Sequence, residues 1–224
     1  MRRLTFTFLC FISLNIVDAQ INKGQWLAGG NGSYTRSSQE NNGSFAILKS
    51  KSTTLDVSAD GGYFIFNQFC AGLRGGVNYT SDNLQEVYGN LPNNGSVSYT
   101  ATASVTKTTI WLAGPFIRYY VLKPKHKINV LADVNYLYGH SVAKSSSATA
   151  IVDQNGNFLQ NSAAASKTTS NTSSLIFQAG PAWFINPKVS LELTGAYVIN
   201  WYKPQGYRTN AFAIGLGIHI HLAK

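Results

Sequence analysis

Apolar and polar residues alternate strictly along four stretches of the chain, the period-two pattern of a β-strand whose two faces meet different surroundings. Phe69, Ala71, Leu73, Gly75, Val77 and Tyr79 interleave with Cys70, Gly72, Arg74, Gly76 and Asn78. Ile128, Val130, Ala132, Val134, Tyr136 and Tyr138 interleave with Asn129, Leu131, Asp133, Asn135 and Leu137. The runs from Val189 to Trp201 and from Phe212 to Leu222 repeat the pattern. Weaker alternation covers 24–35, 53–65, 106–121 and 172–185, which makes eight segments, each long enough to cross a bilayer as a tilted strand. The pattern predicts an all-β fold, an eight-stranded antiparallel up-and-down transmembrane β-barrel. Tight turns are expected at Phe66-Asn67, at Lys123-Pro124-Lys125-His126 and at Asn186-Pro187-Lys188. The segments 36–52, 80–105 and 142–171, rich in Ser, Asn, Thr and Gly, are expected to be long loops, and 202–208 a short one. Short turns at one rim and long loops at the other are the asymmetry of an outer-membrane barrel, with both termini at the short-turn rim.

Alternation alone does not say which face points outward, because a lipocalin-like soluble barrel has the same period with its apolar face turned in. Composition decides the orientation. Charged residues are 12% of the chain, about half the usual share of a soluble domain, and the polar face carries mainly Gly, Ser, Thr and Asn. The ionisable residues that fall on that face are Asp56, Asp60, Arg74, Arg118, Asp133 and Glu192. Inside a narrow barrel such mixed signs neutralise one another, whereas in hydrocarbon each would be costly. Aromatic residues on the other face form two expected interfacial girdles. Tyr63, Phe69, Tyr119 and Trp183 stand near the short-turn rim, and Tyr34, Tyr79, Trp111, Tyr138, Tyr197 and Trp201 near the long-loop rim.

The N-terminus reads as a cleaved export signal. Met1, Arg2 and Arg3 precede a mostly apolar run from Leu4 to Val17, and the small Ala19 closes a cleavage site before Gln20. Residues 1–19 are therefore expected to be a signal peptide and 20–224 a single barrel domain. No later stretch offers 18 consecutive apolar residues, so strands must do any crossing. Cys70 is the only cysteine after residue 19, which leaves no internal disulfide.

Three segments resemble a known family. They are Lys23-Gly24-Gln25-Trp26-Leu27-Ala28-Gly29-Gly30, then Gly114-Pro115-Phe116-Ile117-Arg118-Tyr119-Tyr120, and the stretch Gly180-Pro181-Ala182-Trp183-Phe184-Ile185-Asn186-Pro187-Lys188 running on into Val189–Leu193. In these and in its overall strand pattern the chain resembles the small outer-membrane β-barrel proteins of Gram-negative bacteria, of the OmpA and OmpX type. The resemblance implies an outer-membrane location, contact with outer-membrane lipids including lipopolysaccharide, and insertion by the outer-membrane assembly machinery. Two departures stand out. Pro115 and Pro181 lie inside strands, where a bulge or bend is expected, and the chain ends Leu222-Ala223-Lys224 rather than on an aromatic residue.

The sequence offers little chemistry. His219 and His221 share one strand face at a spacing that suits a metal, but no third ligand stands near, so they read as structural or rim residues. His140-Ser141 has the residue types of a lipid A-modifying enzyme at the loop rim, and His126 sits in a turn. No nucleotide, phosphate-loop or paired-carboxylate signature appears, so no enzyme activity and no cofactor are expected. The net charge of +9 is scattered over the two rims and points away from nucleic acid. Lys123, Lys125, Lys127, Lys188 and Lys224 fall near the short turns. Arg36, Lys49, Lys51, Lys107, Lys144, Lys167, Lys203 and Arg208 fall near the loops, where they would meet lipopolysaccharide phosphates. The expected role is structural or a surface interaction through 36–52, 80–105 and 142–171. A narrow ion or solute path is the alternative, since inner glycines at 72, 76, 215 and 217 leave room in a lumen otherwise just wide enough for side chains.

Overall fold

The computed structural model describes residues 21–42, 46–90, 98–123, 126–153, 157–203, 206 and 208–222. The expected signal peptide, the C-terminal Ala223-Lys224 and the turn residues Pro124 and Lys125 lie outside them. Eight strands follow in chain order: β1 (Trp26–Asn42), β2 (Ala46–Phe66), β3 (Phe69–Asn90), β4 (Ser98–Tyr120), β5 (Ile128–Asp153), β6 (Phe158–Asn186), β7 (Val189–Lys203) and β8 (Arg208–Leu222). Each pairs antiparallel with its chain neighbours, and β1 with β8 closes the ring into a barrel. Among the described residues no helix is long and apolar enough to cross a membrane.

Closure lets every strand give its apolar side to one surface. The outer wall carries Leu73, Leu216 and Phe212 at 70%, 68% and 73% exposure, while the inward residues Arg74, Gly217 and His219 on the same strands are buried. All ten girdle aromatics point outward. Trp26 packs edge-on against Tyr63 at the short-turn rim, a girdle member the strand pattern left out. On β3, Phe69 and Tyr79 stand ten residues apart, which at ~3.4 Å per residue and a ~40° tilt spans about 25 Å along the axis, the height of a hydrocarbon band.

The described residues of 36–52, 80–105 and 142–171 are almost all strand, not loop. β1 and β2 stay in register from Trp26↔Tyr63 to Asn42↔Ile47, β3 and β4 to Asn90↔Ser98, and β5 and β6 to Ile151↔Gln160, beyond which the register shifts to Val152↔Phe158. These are tall hairpins whose two faces are both polar, so hydrophobic alternation cannot reveal them. What holds them is the ladder itself together with hydroxyl rungs between facing residues. Thr102 meets Thr149 at 3.3 Å, Thr106 meets Ser145 at 2.9 Å and Thr54 meets Thr80 at 3.2 Å. The walls differ in height, because β6 meets β7 only from Asn171 onward and β1 meets β8 only between Trp26 and Gly32.

At the short-turn rim the β2–β3 turn falls on Asn67-Gln68, one residue later than the sequence suggests, with Gln68 at φ 69°. Its amide donates to the Tyr120 and Leu122 carbonyls at 2.9 and 2.7 Å, which ties the turn to the end of β4. The β6–β7 turn at Pro187-Lys188 is closed by the Lys188 N–H donating to Asn186 Oδ1 at 2.8 Å.

Pro115 and Pro181 make no bulge. Both point outward, and the register on each side of them is unbroken: Ala113↔Tyr138 resumes as Phe116↔Asn135, and Ala179↔Gly195 as Ala182↔Glu192. The lost N–H simply leaves a gap in one ladder. The preceding glycine fills that gap by close approach, since a Cβ on Gly114 would stand 2.0 Å from the Tyr136 carbonyl oxygen and one on Gly180 1.9 Å from that of Leu193.

Candidate functional site

The inward alternation delivers five of the six ionisable residues to one level of the lumen. Arg118 reaches Asp133 through Nε at 2.9 Å, Glu192 through Nη1 at 3.1 Å and Asp60 through Nη2 at 3.5 Å. Arg74 grips Asp60 at 2.7 Å and Asp133 at 3.1 Å, and donates to Asn135 Oδ1. The Phe116 ring lies under both guanidinium groups, with centroids 5.1 and 5.8 Å away. Tyr120 donates its hydroxyl proton to Glu192 at 3.1 Å. All five side chains are essentially out of contact with solvent.

Asp56 is not part of this cluster. Two inward positions above Asp60 on β2, it is half-buried and accepts from Ser33 Oγ at 3.0 Å and from the Asn78 amide. The residue that completes the cluster is His219. Its Nε2 lies 3.0 Å from Asp60 and its Nδ1 3.0 Å from Glu192, so both ring nitrogens face carboxylate oxygens. Only the imidazolium presents a proton on each, and in that form it would set three cations against the three carboxylates of Asp60, Asp133 and Glu192. A count of inward charges points to this residue, because two arginines alone leave the cluster one positive charge short. His221 sits one inward step toward the turn rim, its ring 5.1 to 5.9 Å from those of Phe184, Phe64 and Tyr120. Among the described residues no group of His, Cys, Asp and Glu is arranged to hold a metal ion.

The lumen thus has three storeys. An aromatic floor of Phe64, Tyr120, Phe184 and His221 closes the short-turn end, with Ile21, Leu27 and Leu131 packed into it. The ion cluster lies above, and above that a cavity of about 520 Å³ runs up between the hairpins. Among the described residues, the two lower storeys are filled by buried side chains. In planar bilayers the folded protein is expected to give no step conductance; regular ion-sized steps from the unaltered chain would mean that the cluster parts in the membrane.

His140 and Ser141 face opposite ways, as neighbours on a strand must. Ser141 is buried in the lumen, whereas His140 is outside, with Nδ1 3.3 Å from Asn171 Oδ1. The pair cannot act as a dyad. On the same outer face Lys107 is the register partner of Lys144, and Lys144 of Lys167, so three lysines occupy adjacent positions on β4, β5 and β6, four residues above Trp111 along β4.

An apolar belt of membrane height around a charged, buried interior defines a transmembrane β-barrel, since a soluble barrel turns these faces the other way. Within that class the chain is of the eight-stranded up-and-down type. Solved structures it resembles include the N-terminal β-barrel domain of Pseudomonas aeruginosa OprF, at 11% identity over 89% of this chain and 98% of that one, TM-score 0.34. Others are Ail, the attachment invasion locus protein of Yersinia pestis, at 13% identity over 89% and 99%, TM-score 0.32, and Neisserial surface protein A, at 15% over 89% and 97%, TM-score 0.30. No family model and no curated protein sequence matches the chain.

Proposed function

We propose that this is an integral outer-membrane protein that works by surface interaction through its projecting hairpins, without enzymatic activity. The observation that carries this reading is that six of the eight strands continue as paired, two-faced polar sheet well beyond the outer girdle. The membrane needs only the lower part of each strand. The projection has two sheet edges, on β1 and on β6, because neither pairs with β8 or β7 at that height. Unpaired strand edges are natural platforms for a partner's strand.

The lysine row gives the projection a footing. Like charges facing one another across strands repel, so Lys107, Lys144 and Lys167 are best placed against anions, and about 10 Å above the girdle those anions are lipopolysaccharide phosphates. Each lysine near an anionic surface contributes about 1 kcal/mol. Replacing all three by Gln is expected to weaken binding to lipopolysaccharide micelles on the order of 100-fold at low salt, with most of the salt dependence lost. Unchanged binding would remove lipopolysaccharide from the role of the row.

The test of the whole reading is to express the full chain in a Gram-negative host, shave intact cells with protease and compare unheated with boiled outer membranes by electrophoresis. A heat-dependent mobility shift together with clipping inside the hairpins supports it. A periplasmic protein without a shift overturns it.

A further inference from the structure

The barrel is zipped along its last seam for only part of its height. β1 and β8 pair from Trp26↔Leu222 to Gly32↔Leu216, and there the ladder stops although β1 runs on to Asn42 and β8 begins at Arg208. The parting begins below the outer girdle, because Ile214 lies two residues nearer the turn rim than Phe212, which pairs with the girdle residue Tyr197. Gly32 and Ser33 on one side of the parting and Ile214 and Gly215 on the other all line the 520 Å³ cavity. The cavity therefore reaches the wall of the barrel at the depth of the outer leaflet as well as opening upward. Its volume lies within the ~300–1,000 Å³ range of small-molecule sites.

Its lining is divided. Ile110, Leu112, Leu137, Ile176 and Val198 form an apolar side on β4 to β7, opposite the polar residues of β1 to β3. At the bottom, three side chains that line it hold buried polar atoms with no hydrogen-bond partner: Arg74 Nε, Gln178 Nε2, and both amide atoms of Asn31. Arg74 is 4% exposed and commits its other nitrogens to Asp60, Asp133 and Asn135. Buried donors in want of acceptors are costly, and three of them belong to residues that line this cavity.

We propose that the upper lumen is a binding site for an uncharged amphiphile, a single apolar chain bearing a hydroxyl, ester or amide head, which enters sideways from the outer leaflet through the β1–β8 parting. The head accepts from Arg74, Gln178 and Asn31, and the chain lies along Leu112, Ile176 and Val198 toward the membrane. An anionic head is disfavoured because the ion cluster is already balanced and Asp56 adds a negative charge on the cavity wall. A cationic head would meet Arg74. The proposal rests on the membrane placement of the barrel wall.

The test is photolabelling of the full folded chain in lipid nanodiscs with a monoacylglycerol carrying a diazirine on its chain, followed by peptide mapping. Labels on Leu73 and Leu216 report membrane placement, and labels on Leu112, Ile176 and Val198 report the lumen. Both sets are expected, with lumen labelling reduced at least tenfold by excess monolaurin, little changed by laurate, and lost in Val198→Trp while wall labelling persists. Wall labels without lumen labels overturn the site but leave the barrel standing. Loss of wall labels as well overturns the membrane placement. Competition by laurate equal to that by monolaurin overturns the uncharged head, and Gln178→Leu with undiminished lumen labelling overturns its contact with the floor.

Discussion

Arg118→Met is expected to cost about 3–5 kcal/mol of folding stability, the penalty for stranding buried partners of a removed charge. The side chain is 1% exposed and is the hub of the lumen cluster, bonded to Asp133, Glu192, Asp60 and the Tyr120 hydroxyl. Methionine fills much of the same space but leaves three carboxylates to Arg74 and His219. The measurement is the urea midpoint for unfolding from lipid bicelles, with the slope checked for constancy. A double variant separates packing from charge: adding Glu192→Gln removes one stranded carboxylate and should recover at least about 1 kcal/mol, a coupling that residues in direct contact show. If the single variant lost less than about 1 kcal/mol, the lumen would have to be wet enough to solvate the carboxylates, and the sealed-barrel reading would fall with it.

The value of the cluster need not lie in net stability. Buried ion networks can be replaced by apolar residues without loss when the whole set is exchanged. What the cluster does supply is a register device. Its members come from β2, β3, β4, β5, β7 and β8, and a one-residue slip of any of these strands would carry its charge from the lumen into hydrocarbon. That cost is steep enough to fix which alternation faces in, even where the apolar pattern is weak, as in β2 and β4.

The same contrast between faces decides which strands are legible in the sequence. Strands β3, β5, β7 and β8 are legible because lipid on one face and a packed lumen on the other impose period two on the residues between Phe69 and Tyr79 or between Phe212 and Leu222. The upper halves of β1 to β6 are not, since water on both faces removes the contrast, and Ser, Thr and Asn in 142–171 look the same in a loop as in a ladder. Asp60, Arg74, Arg118, Asp133 and Glu192 share an inward phase, but phase carries no height, so Asp56 falls in the same set although Ser33 and Asn78 hold it a storey higher. His219 escapes because a histidine two positions from another reads as a rim or metal pair. Only the charge count and its place opposite Asp60 and Glu192 give it a role. The parting between β1 and β8 is invisible in either strand alone, being a property of how far two ends of the chain pair.

Leu73→Arg is the complementary experiment, because it tests the outer wall rather than the interior. Leu73 points away from the barrel at 70% exposure, four residues from Phe69 and six from Tyr79 on β3, and so sits near the middle of the apolar band. On the surface of a water-soluble barrel, arginine there would change stability by no more than about 0.5 kcal/mol. At the midplane of a bilayer it is expected to cost about 2–4 kcal/mol. Gln85→Arg provides the internal control, since it occupies the same strand and the same outward face, twelve residues further up and outside the band, and should be nearly neutral. Reversible urea unfolding in bilayers of both variants therefore yields a depth profile from two points. A large loss at Leu73 with none at Gln85 requires hydrocarbon around the lower wall and water around the hairpins. Equal small effects at both would place water on all sides, and the exposed Leu73, Leu216 and Phe212 would then have to be covered by another protein surface.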